Sequence, residues 1–141
     1  SLLNMHRRKL PLMEGFTRSL ADRRYYIKTG DTERLSSAVS EGGALLELVD
    51  TIDYEIGAAF DRIASIAGID RRDIEDMLRG SGHPGAVELL DIRSRIRSLV
   101  AGALKDHDAL IEGMERLSLK IRADADTLSR HRNVKPMAPP E

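Results

Sequence analysis

The chain has 141 residues, of which 41% are hydrophobic, only 4% aromatic and 32% charged, a balance that suits long helices with aliphatic seams and wet outer faces. Basic and acidic side chains almost cancel to a net charge of -1, so no field of one sign covers the surface and general nucleic-acid binding is disfavoured. The absence of cysteine removes disulfides, thiolate metal sites and cysteine nucleophiles together.

Length allows one domain with one core. No stretch approaches the roughly 20 apolar residues of a bilayer span, and no apolar signal core follows the basic cluster His6-Arg7-Arg8-Lys9. A soluble, cytoplasmic protein without membrane insertion is therefore expected. Met5 follows four other residues, which leaves the native start open.

Residues 1–10 read as a flexible N-terminal segment. Pro11 suits the first turn of a helix, and Leu12, Phe16, Leu20 and Ile27 follow at near-helical spacing, predicting a first helix over 11–28. Gly30 then stops the helix and Asp31 offers an N-cap for the next. Leu35, Val39, Leu46, Val49, Ile52, Ile56, Phe60, Ile63 and Ile66 predict a long second helix over 32–67. Gly42 and Gly43 lie inside it, each costing about 1 kcal/mol relative to alanine, and they mark a kink or a close helix contact.

Asp70, Asp73, Ile74, Met77 and Leu78 predict a short capped helix, closed by the breaker Ser81-Gly82-His83-Pro84-Gly85. A final helix over 85–130 follows without a proline. Its apolar seam runs Ile96, Leu99, Ala103, His107, Leu110, Met114, Leu117, Ile121 and Leu128, interrupted by Asp124. Pro136, Pro139 and Pro140 forbid helix in the tail, so 132–141 is expected to be disordered and 11–131 to form the domain. The fold class is all-α: an extended antiparallel helical bundle or coiled coil with two long helices, one medium N-terminal helix and one short connecting helix.

Candidate chemistry is sparse. His107 is flanked by Asp106 and Asp108 on a long helix, and phosphotransfer modules also place a histidine on a long helix, but Ala109, Leu110 and Ile111 follow it, no cation follows within the next two turns, and two carboxylates repel phosphate. A polar seam residue that fixes helix register is the simpler role. His6, His83, His107 and His131 are far apart and form no metal-ligand pair, so no metal site, cofactor or catalytic residue is expected. The cluster Arg23-Arg24-Tyr25-Tyr26 reads as a solvated face beside two seam aromatics, with an acidic-peptide or nucleic-acid contact as the alternative. The basic run His6 to Lys9 reads as a solvated face, with a membrane surface as its alternative.

The stripe from Leu110 to Leu128 remains. The first helix covers only part of the last, so a section of this stripe lacks a partner within the chain. Apolar side chains at such spacing are the anchors of helix-in-groove recognition, and Met114 adds an adaptable contact. Leu110, Met114, Leu117, Ile121 and Leu128 are the candidate partner-binding residues.

Order and layout over residues 12–130 resemble the FlgN family of flagellar export chaperones. The turn Lys28-Thr29-Gly30-Asp31 followed by Leu35, the double leucine Leu45-Leu46 in a long second helix, and His107-Asp108-Ala109-Leu110-Ile111 carry the resemblance. In the last motif histidine stands where the family usually has asparagine. The resemblance implies a cytoplasmic, non-enzymatic chaperone that holds the terminal helices of hook-associated flagellar proteins, chiefly on its C-terminal helix. It would prevent their premature assembly and deliver them to the flagellar type III export gate without nucleotide or metal. The alternatives are a homo-oligomeric coiled-coil adaptor, with a homodimer through the same stripe, and a histidine phosphotransfer module.

Overall fold

A computed structural model of the protein describes residues 1–134, except for the side chains of Leu117 and of residues 132–134. The described chain is all helical: α1 (Leu2–Thr29), α2 (Thr32–Ala67), a single 3-10 turn (Arg71–Asp73), α3 (Ile74–Ser81) and α4 (Pro84–Val134). The all-α bundle expected from periodicity is what forms. The proline-containing tail from residue 135 onward lies outside the described residues.

The first difference from expectation is at the N-terminus, where α1 begins at Leu2 and not at Pro11. Pro11 is an interior, exposed residue of α1. It deprives the Arg7 carbonyl of its helical donor, a loss of about 3 kcal/mol in a helix interior. Packing wins over this. Leu2, Met5, Leu3 and Leu10 are partly buried against the core, each contributing on the order of 1 kcal/mol or more, and His6 is 1% exposed. Residues 1–10 are therefore part of the domain. His6, Met13 and Leu20 are buried at steps of seven, and Ile27 continues the line.

Local chemistry places the turns as expected. Gly30 ends α1 at φ 74°, its N–H donating to the carbonyls of Ile27 and Tyr26, and the Asp31 carboxylate accepts from the Arg34 amide to cap α2. The Asp70 carboxylate accepts from the Arg72 amide in the same way, as its position before a helical turn requires.

α1 is the helix that the other two long helices share. It packs antiparallel to α2 and parallel to α4, while the backbones of α2 and α4 stay apart. The basic run at its start forms the clamps: Arg7 pairs with Glu88 on α4 at 2.7 Å, and Arg8 and Lys9 pair with Glu55 and Asp53 on α2. Each of these cations therefore has an acidic partner within the bundle, although Arg7 and Arg8 remain at the surface. Arg24 pairs with Asp106 on α4 at 3.0 Å. The sequence separations of the two α1–α4 pairs, 81 and 82, show that the helices advance in step.

Three hydrophobic clusters are stacked along the bundle. Ile52, Ile56, Phe60 and Ile74 form one at the start of α1. Met13, Val49, Ile92 and Ile96 form the middle, so Ile96 packs primarily with α1 and reaches α2 only through side chains. Leu20, Ala103 and Leu110 form the last and thinnest, with Phe16 and Ile27 beside it.

Of the paired glycines, Gly42 alone marks a close contact. A Cβ there would collide with the Arg23 guanidinium and lie 2.9 Å from Ser19 Oγ, whereas Gly43 faces nothing within 4 Å. Ser19 Oγ donates to the Ala38 carbonyl at 2.9 Å, drawing α1 and α2 together beside it. In urea unfolding, Gly42→Ala is expected to be less stable than Gly43→Ala by about 1–3 kcal/mol, because crowding against Ser19 Oγ and the displaced Arg23 guanidinium offsets the propensity gain that both substitutions share. Gly43→Ala should stabilise by about 1 kcal/mol through helix propensity.

Candidate partner-binding surface

α4 has 51 residues against 28 in α1, about 76 and 42 Å at the α-helical rise. Because the two start level and advance in step, Ile27 near the end of α1 faces Gly113. Beyond that point α4 continues for about 20 residues, about 30 Å, with no neighbouring helix among the described residues.

The seam expected along α4 resolves into two adjacent lines. Leu89, Ile96, Ala103 and Leu110 are buried at steps of seven and face the bundle. Val100, His107, Met114, Ile121 and Leu128 also follow at steps of seven, and all are exposed. Residues four apart on a helix differ by only about 40° in direction, so sequence spacing merges the lines and α1 separates them.

This separation corrects two expectations. Leu110, predicted as a partner-binding residue, is 5% exposed and belongs to the core with Leu20 and Ala103. His107 lies on the exposed line and so does not act as a buried register residue. Met114, Ile121 and Leu128 stand 52%, 60% and 66% exposed, a free apolar edge. The side chain of Leu117 lies outside the described residues. Ile111 and Leu119 are also exposed and were not singled out by the seam.

At the root of the overhang, α1 and α4 enclose a notch of about 430 Å³ lined by Arg24, Ile27, Lys28, Leu110, Gly113 and Arg116. Its floor is apolar because Gly113 has no side chain and Leu110 turns inward. Tyr25, expected as a seam aromatic, is exposed and meets Tyr26 edge-on at 5.8 Å. Family models, curated proteins and solved structures contain no match to the chain.

The other polar cluster is at the opposite end. His6 Nδ1 lies 2.8 Å from the Leu2 carbonyl and Nε2 lies 3.0 Å from Arg93 Nη1. A guanidinium only donates, so Nε2 accepts from Arg93 and Nδ1 carries the proton to Leu2. Arg93 Nε donates to Glu75 at 2.7 Å, Arg97 donates to the same carboxylate, and the Arg93 guanidinium stacks 4.8 Å above the Phe60 ring. Every nitrogen of His6 is committed, and the residue is buried, so its role is structural. Sequence reasoning missed it by starting the helix at Pro11; extending the line Met13, Leu20, Ile27 back by seven residues finds it.

Burial, then the positive charges of Arg93 and Lys9, hold the His6 pKa below its ordinary 6.5, with the Leu2 carbonyl opposing. Burial would raise the Glu75 carboxyl, but Arg93 and Arg97 outweigh it and hold it below 4.5. In both cases the unfolded chain binds more protons, so stability falls as pH falls. The His6 part is lost below about pH 6.5 and the Glu75 part below about 4.5. No group of three or more potential metal-ligating side chains occurs among the described residues, and none of their helices is long and apolar enough to cross a membrane. Thermal melts from pH 7.5 to 4 should show His6→Gln flattening the loss between 7.5 and 5.5 while retaining the loss below 4.5.

Proposed function

We propose that the chain is a helix-binding export chaperone that holds an amphipathic segment of a client along the overhang of α4. The observation that carries this reading is the exposed line Met114, Ile121, Leu128 on a helix section that no other part of the described chain covers. Burying three such side chains offers several kcal/mol. Ordering a client segment on binding consumes much of that, which gives moderate affinity and ready release, the properties a carrier needs.

Within this reading the resemblance to FlgN-type chaperones supplies the client class. The clients are the terminal helices of hook-associated flagellar proteins, kept unassembled in the cytoplasm and passed to the type III export gate. The chemistry requires no cofactor and no catalytic residue. Of the predicted anchors, Met114, Ile121 and Leu128 carry the contact, while Leu110 supports it from the core.

A second reading, self-association through the same line into a coiled-coil adaptor, is favoured by the seven-residue repeat itself. Sedimentation equilibrium across a concentration series separates the two, with a monomer expected for the chaperone and a tight dimer for the adaptor. Met114→Asp with Ile121→Asp is expected to weaken binding of a hook-associated terminal-helix peptide at least 100-fold in calorimetry, with circular dichroism unchanged because both side chains are exposed. Unchanged affinity would overturn the assignment.

A further inference from the structure

The notch at the end of α1 carries a charge pattern that the apolar line alone does not explain. Arg24, Lys28 and Arg116 surround its apolar floor of Ile27, Leu110 and Gly113. Arg24 is committed to Asp106 at 3.0 Å. Arg116 reaches only Glu112 on its own helix, at 3.5 Å and with both side chains mostly exposed, a contact worth too little to hold it there. Among the described residues Lys28 and Lys120 enter no ion pair.

Positions on α4 bring these cations together. Gly113, Arg116 and Lys120 follow at i, i+3 and i+7, one face of a helix, and Gly113 is the residue that faces Ile27 of α1. Lys28 closes the rim from the last turn of α1. Lys120 lies one turn past the residues that line the notch, and one further turn along, the face becomes acidic at Asp124, so the basic rim covers the notch and the turn that follows it. The exposed apolar line runs alongside this face from Met114 onward.

Resting on the helix-binding reading above, we infer that the notch selects the client. The segment that docks on α4 is an amphipathic helix bearing carboxylates on the flank and at the end that meet Lys28, Arg116 and Lys120. The apolar line supplies affinity that many helices share. The basic rim supplies orientation and choice, because a segment with lysines in those positions meets like charge at a partly enclosed site. Placed this way, the client helix prolongs the course of α1 along α4.

Two synthetic 20-residue helical peptides with the same leucine stripe test this, one with glutamates and one with lysines along a single flank. Fluorescence anisotropy with the full chain is expected to show the glutamate peptide binding about tenfold tighter at low salt, as a few semi-exposed ion pairs would give. That preference should vanish near 1 M salt, where charges are screened within about 3 Å. Lys28→Glu with Arg116→Glu, its helicity checked by circular dichroism, should reverse the preference. Equal binding of the two peptides, or a preference that survives the charge reversal, overturns the inference while leaving the apolar docking line intact. Binding of neither peptide overturns both the docking line and the inference. Binding of phosphatidylglycerol vesicles in preference to the glutamate peptide overturns the assignment of the rim to a protein partner.

Discussion

The Arg93 guanidinium holds the described bundle together at one end. It donates to His6 on α1 and to Glu75 on α3, projects from α4, and lies on the Phe60 ring of α2. Four helices meet at one side chain. A planar fork of donors can serve an imidazole and a carboxylate at once while stacking on a ring, which a lysine ammonium cannot do. Removing a partner would leave a buried polar group unsatisfied, at a cost larger than the net worth of the bond. The parallel register of α1 and α4 starts from this corner and is carried along by Arg7 with Glu88 and Arg24 with Asp106.

From that fixed end the bundle thins. The cluster around Phe60 draws on α1, α2 and α3, the middle cluster on α1, α2 and α4, and the last on α1 and α4 alone. Stability is therefore graded along the molecule, and the end with least core lies next to the exposed line of α4. Surfaces that must exchange partners are commonly drawn from such low-stability ends. Separating the polar anchor from the apolar edge lets the edge vary without disturbing the register.

Much of this was legible in the sequence. Helix existence, the turn at Gly30-Asp31, the opening of α4 at Pro84 and the exposed positions Met114, Ile121 and Leu128 follow from periodicity and breakers. Two things did not. Pro11 carries a strong local signal for a helix start, and only the burial of His6 and its neighbours overrides it. The second is the split of the α4 seam, which spacing cannot express because residues four apart point only about 40° from one another. Which of the two lines is buried depends on where α1 lies, so Leu110 and His107 exchanged their expected environments. The basic rim was equally hidden, since Lys28 and Arg116 meet only through the parallel packing of α1 and α4.

Gly30 acquires a larger meaning in this arrangement. Its left-handed backbone stops α1, and because α1 and α4 start level, that stop sets how much of α4 is left bare. The length of the exposed edge is thus a difference between two helices, measured like a vernier from their common origin. Moving the stop by one heptad would shorten or lengthen the edge by about 10 Å with no change in α4 itself. Trimming or extending α1 would thus reset the bare length of α4 while leaving every residue of α4 unchanged.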